Sequence, residues 1–321
     1  MFTHDYKNLN GIQLLNISHR DGVGMSIIPS QGGRLFDLTL EVEGKPIPIL
    51  MPVTPYDNLE QNPYFLSSAL IPFPNRLRGG SYSYAGEKLS FPVNSPDDGT
   101  ALHGLVYNKP FTVKSIQSGI DQATCTLEYK YSGTDAAYPF PFTVQIAYTI
   151  RDMNTLECRT RIINTGDSPL PMGSGWHHYL HFPEGVDAVE MKLPPAQRVV
   201  VDSSLLPTGE LMDFENFSDF HPMKDERFDT CFKLEQSDTE YYIELRDKKR
   251  KLHYTISMQG GNSGYKYFQL FNHPHGTGFA VEPMSCNIDA FNNGQGLIDL
   301  SAGTAVNYDF QINLDSTDSI L

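Results

Sequence analysis

Five stretches of this chain alternate apolar and polar side chains with a period of two, and they decide what it can fold into: Ala123–Lys130, Thr143–Ile150, Leu156–Ile163, Tyr241–Arg246 and Leu252–Ser257. A period of two puts one face of an extended segment on a core and the other towards solvent, whereas a helix would need a period of 3.6. The alternating stretches are rich in β-branched and aromatic residues, and turn clusters punctuate the chain: Ser132-Gly133-Thr134-Asp135, Asn164-Thr165-Gly166-Asp167 and Gly260-Gly261-Asn262-Ser263-Gly264. With 26 glycines and 22 prolines in 321 residues, turns are frequent and strands short. No long amphipathic helical stripe is present; a short helix near Asp57–Leu70 is expected, limited by Pro63. Strands in succession with hairpin-length connections predict an all-β chain, a large antiparallel sandwich or barrel. No compositional break, linker or repeat divides residues 1–321, so one domain is expected.

Charge narrows the partners. Twenty-four Lys and Arg against 38 Asp and Glu give a net charge of −14, without a basic stripe, which disfavours nucleic acid and anionic membrane and favours neutral small molecules. The first ten residues carry no basic region followed by an apolar run, and no stretch approaches the ~20 apolar residues that cross a bilayer. A cytoplasmic protein, monomeric or homodimeric, is the expectation. Cys125, Cys158, Cys231 and Cys286 are scattered without a CxxC pair and read as reduced core residues.

Polar groups set in apolar strand or turn contexts mark candidate chemistry, because burying them unpaired is costly. Asn75-Arg76 follows two prolines and precedes Gly79-Gly80; the Arg fork suits vicinal hydroxyls or a carboxylate, or it is a surface residue beside a turn. His103 precedes Gly104, which permits close approach to the imidazole; a hydrogen-bonded core histidine is the plainer reading. In Trp176–His181, a strand would put His177, Tyr179 and His181 on one face and His178 on the other. Either one histidine is functional, or His177 and His181 join a third ligand at a metal, and the first is preferred. Asp229 lies between two aromatics and fits a turn or a site. Glu282 ends an apolar run before Pro283, so the strand should stop or bulge there, leaving either an edge glutamate or a carboxylate whose pKa is pushed towards neutrality. His273-Pro274-His275 with Glu282 has a cupin-like look, but the spacing is wrong for metal ligation.

Taken in order, Asn75-Arg76 with Gly79-Gly80 and Tyr82, Leu102-His103-Gly104, His177-x-Tyr179-Leu180, Phe228-Asp229-x-x-Phe232 and Val281-Glu282…Asp289-Ala290-Phe291-Asn292 resemble the aldose 1-epimerase (galactose mutarotase) family. The likeness runs over approximately residues 20–315. It implies a large antiparallel β-sandwich of the mutarotase supersandwich type, one carbohydrate cleft and no cofactor or metal. It implies Glu282 as general base and His177 as general acid, with Arg76, His103 and Asp229 as ligands of sugar hydroxyls. Gln269 in Phe268-Gln269-Leu270-Phe271 falls at a further ligand position, and Asn75 and Tyr179 complete the binding set, Tyr179 and Phe271 offering rings to the sugar's apolar face.

The family's His-x-Tyr-Phe-Asn stands here as His177-His178-Tyr179-Leu180-His181, and Glu282 is followed by Pro-Met-Ser; both departures bear on which sugar is taken. Arg34, Arg76 and Arg78 leave open whether that sugar is phosphorylated. Two other functions compete: a non-catalytic carbohydrate-binding or sensing protein, and a carbohydrate-cleaving enzyme using Glu282 with Asp229 as paired carboxylates.

Overall fold

The computed structural model describes the whole chain except residues 54–57, 236–239, 262, 275–276 and 320–321. Two large antiparallel sheets dominate it, one of nine strands and one of eight. All five alternating stretches are strands of the nine-stranded sheet. They lie in Gln122–Tyr131, Phe142–Arg151, Thr155–Asn164, Glu240–Asp247 and Leu252–Gln259, each extended by a residue or two beyond the periodic run. Ser132–Asp135 and Asn164–Asp167 fall at turns, as their composition requires, while Asn262 of the third cluster lies outside the described residues. A further five-stranded sheet, from Phe2–Leu9 to Lys45–Pro48, completes the main architecture.

The eight-stranded sheet carries the site. Across it run Pro207–Asp213, Ala196–Val201, Asp229–Leu234, Tyr267–Asn272, Gly278–Met284, Gly175–Trp176 and Ala69–Leu70, with His178–His181 also pairing to Gly278–Met284. Alternation sorts the side chains of these strands onto two faces. Trp176, Phe268, Leu270, Phe279 and Val281 turn into the main core. There Trp176 packs at 5.8 Å on Tyr148 of the nine-stranded sheet and its indole N–H donates to Thr160 Oγ1 at 3.0 Å, so the two sheets pack face to face. Tyr179, Gln269, Phe271, Ala280 and Glu282 turn to the opposite face.

Two local expectations change. Asp57 lies outside the described residues, and from residue 58 to residue 68 the chain makes turns, not a helix. Asn58, Asn62, Phe65 and Ser67 all have positive φ, which an α-helix excludes. The segment is held by Arg34, whose guanidinium donates to the carbonyls of Leu59 and Leu66 at 2.8 and 3.3 Å. Nor does the strand through Glu282 stop at Pro283: it continues to Met284, with Pro283 opposite Phe268. On its other side its partners are Gly175 opposite Met284 and His178 opposite Val281, and His177 between them belongs to no strand. The N–H that proline lacks therefore falls at a break in the ladder, where it is not needed. The four cysteines are buried and free.

Candidate active site

The break in pairing is also what positions the chemistry. His177 leaves the sheet ladder and pairs its backbone with the 58–68 turn segment instead, its N–H donating to Ser68 O at 3.1 Å and its carbonyl accepting from Ser67 N at 2.9 Å. Its imidazole stacks on Tyr179 at 4.9 Å and places Nε2 3.4 Å from Glu282 Oε1 on the adjacent strand. Donor and acceptor thus lie side by side. Glu282 is 1% exposed, and its Oε2 has no protein partner.

Around this contact is an open pocket of about 130 Å³ lined by all eight residues singled out in the sequence: Asn75, Arg76, His103, His177, Tyr179, Asp229, Gln269 and Glu282. That volume is well below the ~300–1,000 Å³ of drug-sized sites and suits a small polar ligand. Register places Gln269 directly across from Glu282, and Asp229 across from Phe271. Gln269 joins two walls: its Nε2 donates to Asp229 Oδ1 at 2.6 Å and its Oε1 accepts from Asn75 Nδ2 at 3.3 Å. Fixing the amide this way holds Asp229 at the rim.

The opposite wall depends on backbone conformations that most residues avoid. Asn75 and His103 both have positive φ. Each receives the other's N–H: His103 N donates to Asn75 O at 2.9 Å, and Asn75 N donates to His103 Nδ1 at 3.1 Å. Because Nδ1 accepts, the proton of the neutral ring is assigned to Nε2, leaving His103 a donor. Gly104 is required beside it, since φ is again positive and a Cβ would collide with the Ile71 carbonyl. Arg76 is oriented by Asp98, Nε to Oδ2 at 2.8 Å, and by Asn75 Oδ1 at 3.3 Å. The Asp289–Asn292 motif braces this wall from behind: Asp289 accepts from Arg78 N at 2.9 Å and its own N–H donates to Arg76 O at 2.8 Å.

Burial sets the protonation states. It holds the His177 imidazole down to about 3, with His178 and His273 opposing a positive charge there as well. It pushes the Glu282 carboxyl well above its ordinary range, reinforced by the Asp229 charge and opposed by Arg76. His103 is lowered well below its usual value by burial, His177 and Arg76, which agrees with the neutral tautomer above. The ordinary values of about 4.3 and 6.5, which would make Glu282 an anion and His177 readily protonated, do not apply in this pocket. Burial instead favours the uncharged form of both groups, a protonated carboxyl beside a neutral imidazole.

Several pocket residues carried no legible sign in the sequence. Tyr64 and Phe65 line the pocket from the segment expected to be helical. Phe65 packs edge-on against His103 at 4.5 Å. Asp98, the partner of Arg76, was equally silent. The only available signal was Asn62-Pro63, whose turn chemistry argues for a loop. His178 lies on the far face, stacked at 8° on Trp176, and neither ring nitrogen has a hydrogen-bond partner. His181 is not part of the pocket lining, so it does not join His177 around a common ligand. Among the described residues no group of three His, Cys, Asp or Glu is arranged to hold a metal ion. His273 packs against Tyr64 and Tyr179, and His275 lies outside the described residues. Arg34 is 1% exposed and committed to carbonyls, and Arg78 pairs with Asp289 and Asp202, so of the three arginines only Arg76 reaches the pocket.

Two face-packed antiparallel sheets with a cleft on the outer face of one of them make this a galactose mutarotase-like fold. It superposes on a galactose mutarotase-like protein from Clostridium acetobutylicum with a TM-score of 0.84, at 18% identity over 98% of this chain and 99% of that one. It superposes on the galactose 1-epimerase of Lactobacillus acidophilus NCFM with a TM-score of 0.79, at 14% identity over 98% and 99% of the two chains. At such identities the likeness is one of fold. The sequence goes further: the aldose 1-epimerase family model matches residues 13–313, and the chain belongs to that family. Among curated relatives, the uncharacterized protein YihR of Escherichia coli (strain K12) is 27% identical over 258 residues, 78% of this chain and 80% of YihR. The maltose epimerase of Levilactobacillus brevis is 21% identical over 201 residues, 61% of this chain and 58% of that enzyme. No helix of the described residues is long and apolar enough to cross a membrane.

Proposed function

We propose that this protein is an aldose 1-epimerase that interconverts the α and β anomers of a free aldohexose by opening and reclosing its ring at C1–O5. The observation that carries the reading is the Glu282–His177 contact at 3.4 Å in a pocket otherwise lined by hydrogen-bonding groups and aromatic rings. Ring opening takes the proton of the C1 hydroxyl and gives a proton to O5. These two oxygens are bonded to the same carbon, so an acid and a base serving both must sit close together, as this pair does.

In the forward half-reaction Glu282 accepts the C1 hydroxyl proton, the C1–O5 bond breaks with its electrons going to O5, and His177 protonates O5. The open aldehyde turns about C1–C2, and the same two groups reverse roles to close the ring on the other face. Between them the pair carries one proton throughout. Burial favours that proton on Glu282 in the empty pocket, which supports a second assignment with the direction reversed: neutral His177 takes the C1 proton and the Glu282 carboxyl protonates O5. Under either assignment both groups are needed, each contributing on the order of 10²–10⁴ in rate. Arg76, His103, Asp229, Gln269 and Asn75 hold hydroxyls, with Tyr179 and Phe271 against the apolar face of the ring.

A binding protein would have no use for a buried acid–base contact, and a glycosidase would need two carboxylates flanking the bond, whereas Asp229 is tied to Gln269 at the rim. NMR exchange spectroscopy over a panel of free and phosphorylated aldoses tests the proposal. Accelerated anomer exchange of at least one free aldose is expected; sugar binding without accelerated exchange of any would refute it.

A further inference from the structure

A strand at the edge of a sheet exposes unpaired backbone N–H and C=O groups, and proteins blunt such edges with proline, bulges or shortness. The three large sheets end in Lys45–Pro48, His221–Pro222, Thr112–Ser118, Pro207–Asp213, Ala69–Leu70 and Phe2–Leu9. Lys45–Pro48 and His221–Pro222 contain proline, Thr112–Ser118 and Pro207–Asp213 pair with a shift in register, and Ala69–Leu70 is two residues long. Phe2–Leu9 has none of these devices: it is eight residues long, lacks proline and pairs with Ile12–His19 in unbroken register. Thr3–Asn8 are all exposed, Tyr6 by 50%. Asn10-Gly11, both at positive φ, make the two-residue turn that closes this hairpin on the Leu9–Ile12 pair. That closing pair exchanges hydrogen bonds, so Lys7, Asp5 and Thr3 bond inward and the alternate residues turn their backbone groups outward. Phe2 shows the direction, its N–H donating to Gly119 O at 2.9 Å on the side away from Ile12–His19. Among the described residues no backbone bond reaches the outward groups of His4, Tyr6 and Asn8.

We propose that Phe2–Leu9 pairs antiparallel with the same strand of a second copy of this chain, joining two five-stranded sheets across a two-fold axis at Tyr6. The strand is complementary to itself. An axis that pairs two or more of His4, Tyr6 and Asn8 among themselves falls on Asp5, Tyr6 or Lys7. On Asp5 or on Lys7 it would set like charges directly opposite each other. On Tyr6 it sets Asp5 opposite Lys7 of the other copy, twice by symmetry, with His4 opposite Asn8 and Tyr6 opposite Tyr6. Asp5 and Lys7 then take the non-hydrogen-bonded positions of the new ladder, where facing side chains come closest and opposite charges attract. The two Tyr6 rings meet on the other face. Charge on an edge strand ordinarily repels a second strand, but this carboxylate and this ammonium match in the Tyr6 register and oppose its neighbours. Each chain carries −14, so copies repel in general and a matched patch is what association requires. No residue of Phe2–Leu9 lines the Glu282–His177 pocket, so each copy keeps its own site and the proposal is independent of the epimerase reading.

Sedimentation velocity of the full chain over a range of concentrations tests the pairing. The samples are wild type, Asp5→Lys, Lys7→Asp, the double variant carrying both, an equimolar mixture of the two single variants, and Tyr6→Pro, all changed at exposed positions. Wild type is expected to pass from monomer to dimer as concentration rises. Each single charge variant should raise the dimer Kd about tenfold or more, because like charges then face each other in both symmetric pairs. The double variant restores opposite charges within one sequence and the mixture restores them between two, so both should dimerise again. Tyr6→Pro removes an outward N–H while sparing the bonds to Ile12–His19, and should stay monomeric. Wild type that remains monomeric at every concentration would overturn the proposal. A dimer indifferent to the charge variants would overturn it by placing the two-fold axis elsewhere. So would a dimer that the single variants weaken and neither the double variant nor the mixture restores.

Discussion

Glu282→Gln replaces one oxygen by an amide nitrogen in a side chain that is 1% exposed, so shape is kept and the proton chemistry is lost. Exchange of anomers should fall on the order of 10²–10⁴-fold, about 3–5 kcal/mol of barrier at ~1.4 kcal/mol per decade. Stability should move the other way, and the sign follows from burial. The folded carboxyl has its pKa raised well above the ordinary 4.5, chiefly by desolvation. As pH rises through 4.5 the unfolded carboxyl therefore ionises while the folded one keeps its proton. From that point wild type loses stability with a slope that rises to about 1.4 kcal/mol per pH unit until the folded pKa is reached, and the Gln variant does not. His177 contributes the opposite slope between about 3 and 6.5, but it is present in both proteins and drops out of their difference. Urea unfolding read by the fluorescence of Trp176, the chain's one tryptophan and wholly buried, should show the variant gaining on wild type by about 1 kcal/mol over the first pH unit above 4.5. Full exchange activity in the variant would remove Glu282 from the reaction. A stability difference that does not grow with pH would refute the raised carboxyl.

His177→Asn should also lower exchange on the order of 10²-fold or more by polarimetry. His178→Phe, one residue on, should keep most of the activity. It should raise unfolding free energy by about 1–3 kcal/mol, because it removes two buried ring nitrogens that have no partner while keeping the stack on Trp176. In the pH profile of wild-type exchange the acid limb should lie towards about 3, where a second proton is forced onto the pair, and the alkaline limb should follow loss of the Glu282 proton at its raised pKa; an acid limb near 6.5, where a free imidazole titrates, would mean that His177 is solvated.

The sheet architecture was legible because alternation is a local property: Phe142–Arg151 and Thr155–Asn164 declare their buried faces residue by residue, whatever they pack against. Asn75, Arg76, His103, His177, Tyr179, Asp229 and Glu282 lay in stretches that stood out residue by residue, the order of the motifs pointed to the family, and Gln269 came only with that resemblance. Three things were decided only by packing. The 58–68 segment became a pocket wall because Arg34, distant in sequence, ties down its carbonyls, and no helical or strand period encodes that. Pro283 did not end its strand, because its missing N–H falls where the ladder is already broken: Trp176 opposite it pairs with Ala69 instead, and His177 beside it has turned to Ser67 and Ser68. The protonation of Glu282 and His177 followed from burial in low-dielectric packing, with Asp229 and Arg76 acting on Glu282 and His178 and His273 on His177, and for Glu282 those charges were brought close by the sheet and not by the chain. Sequence supplied the groups and the pleat that aims them; tertiary structure supplied the distances between them, and with the distances their acidity.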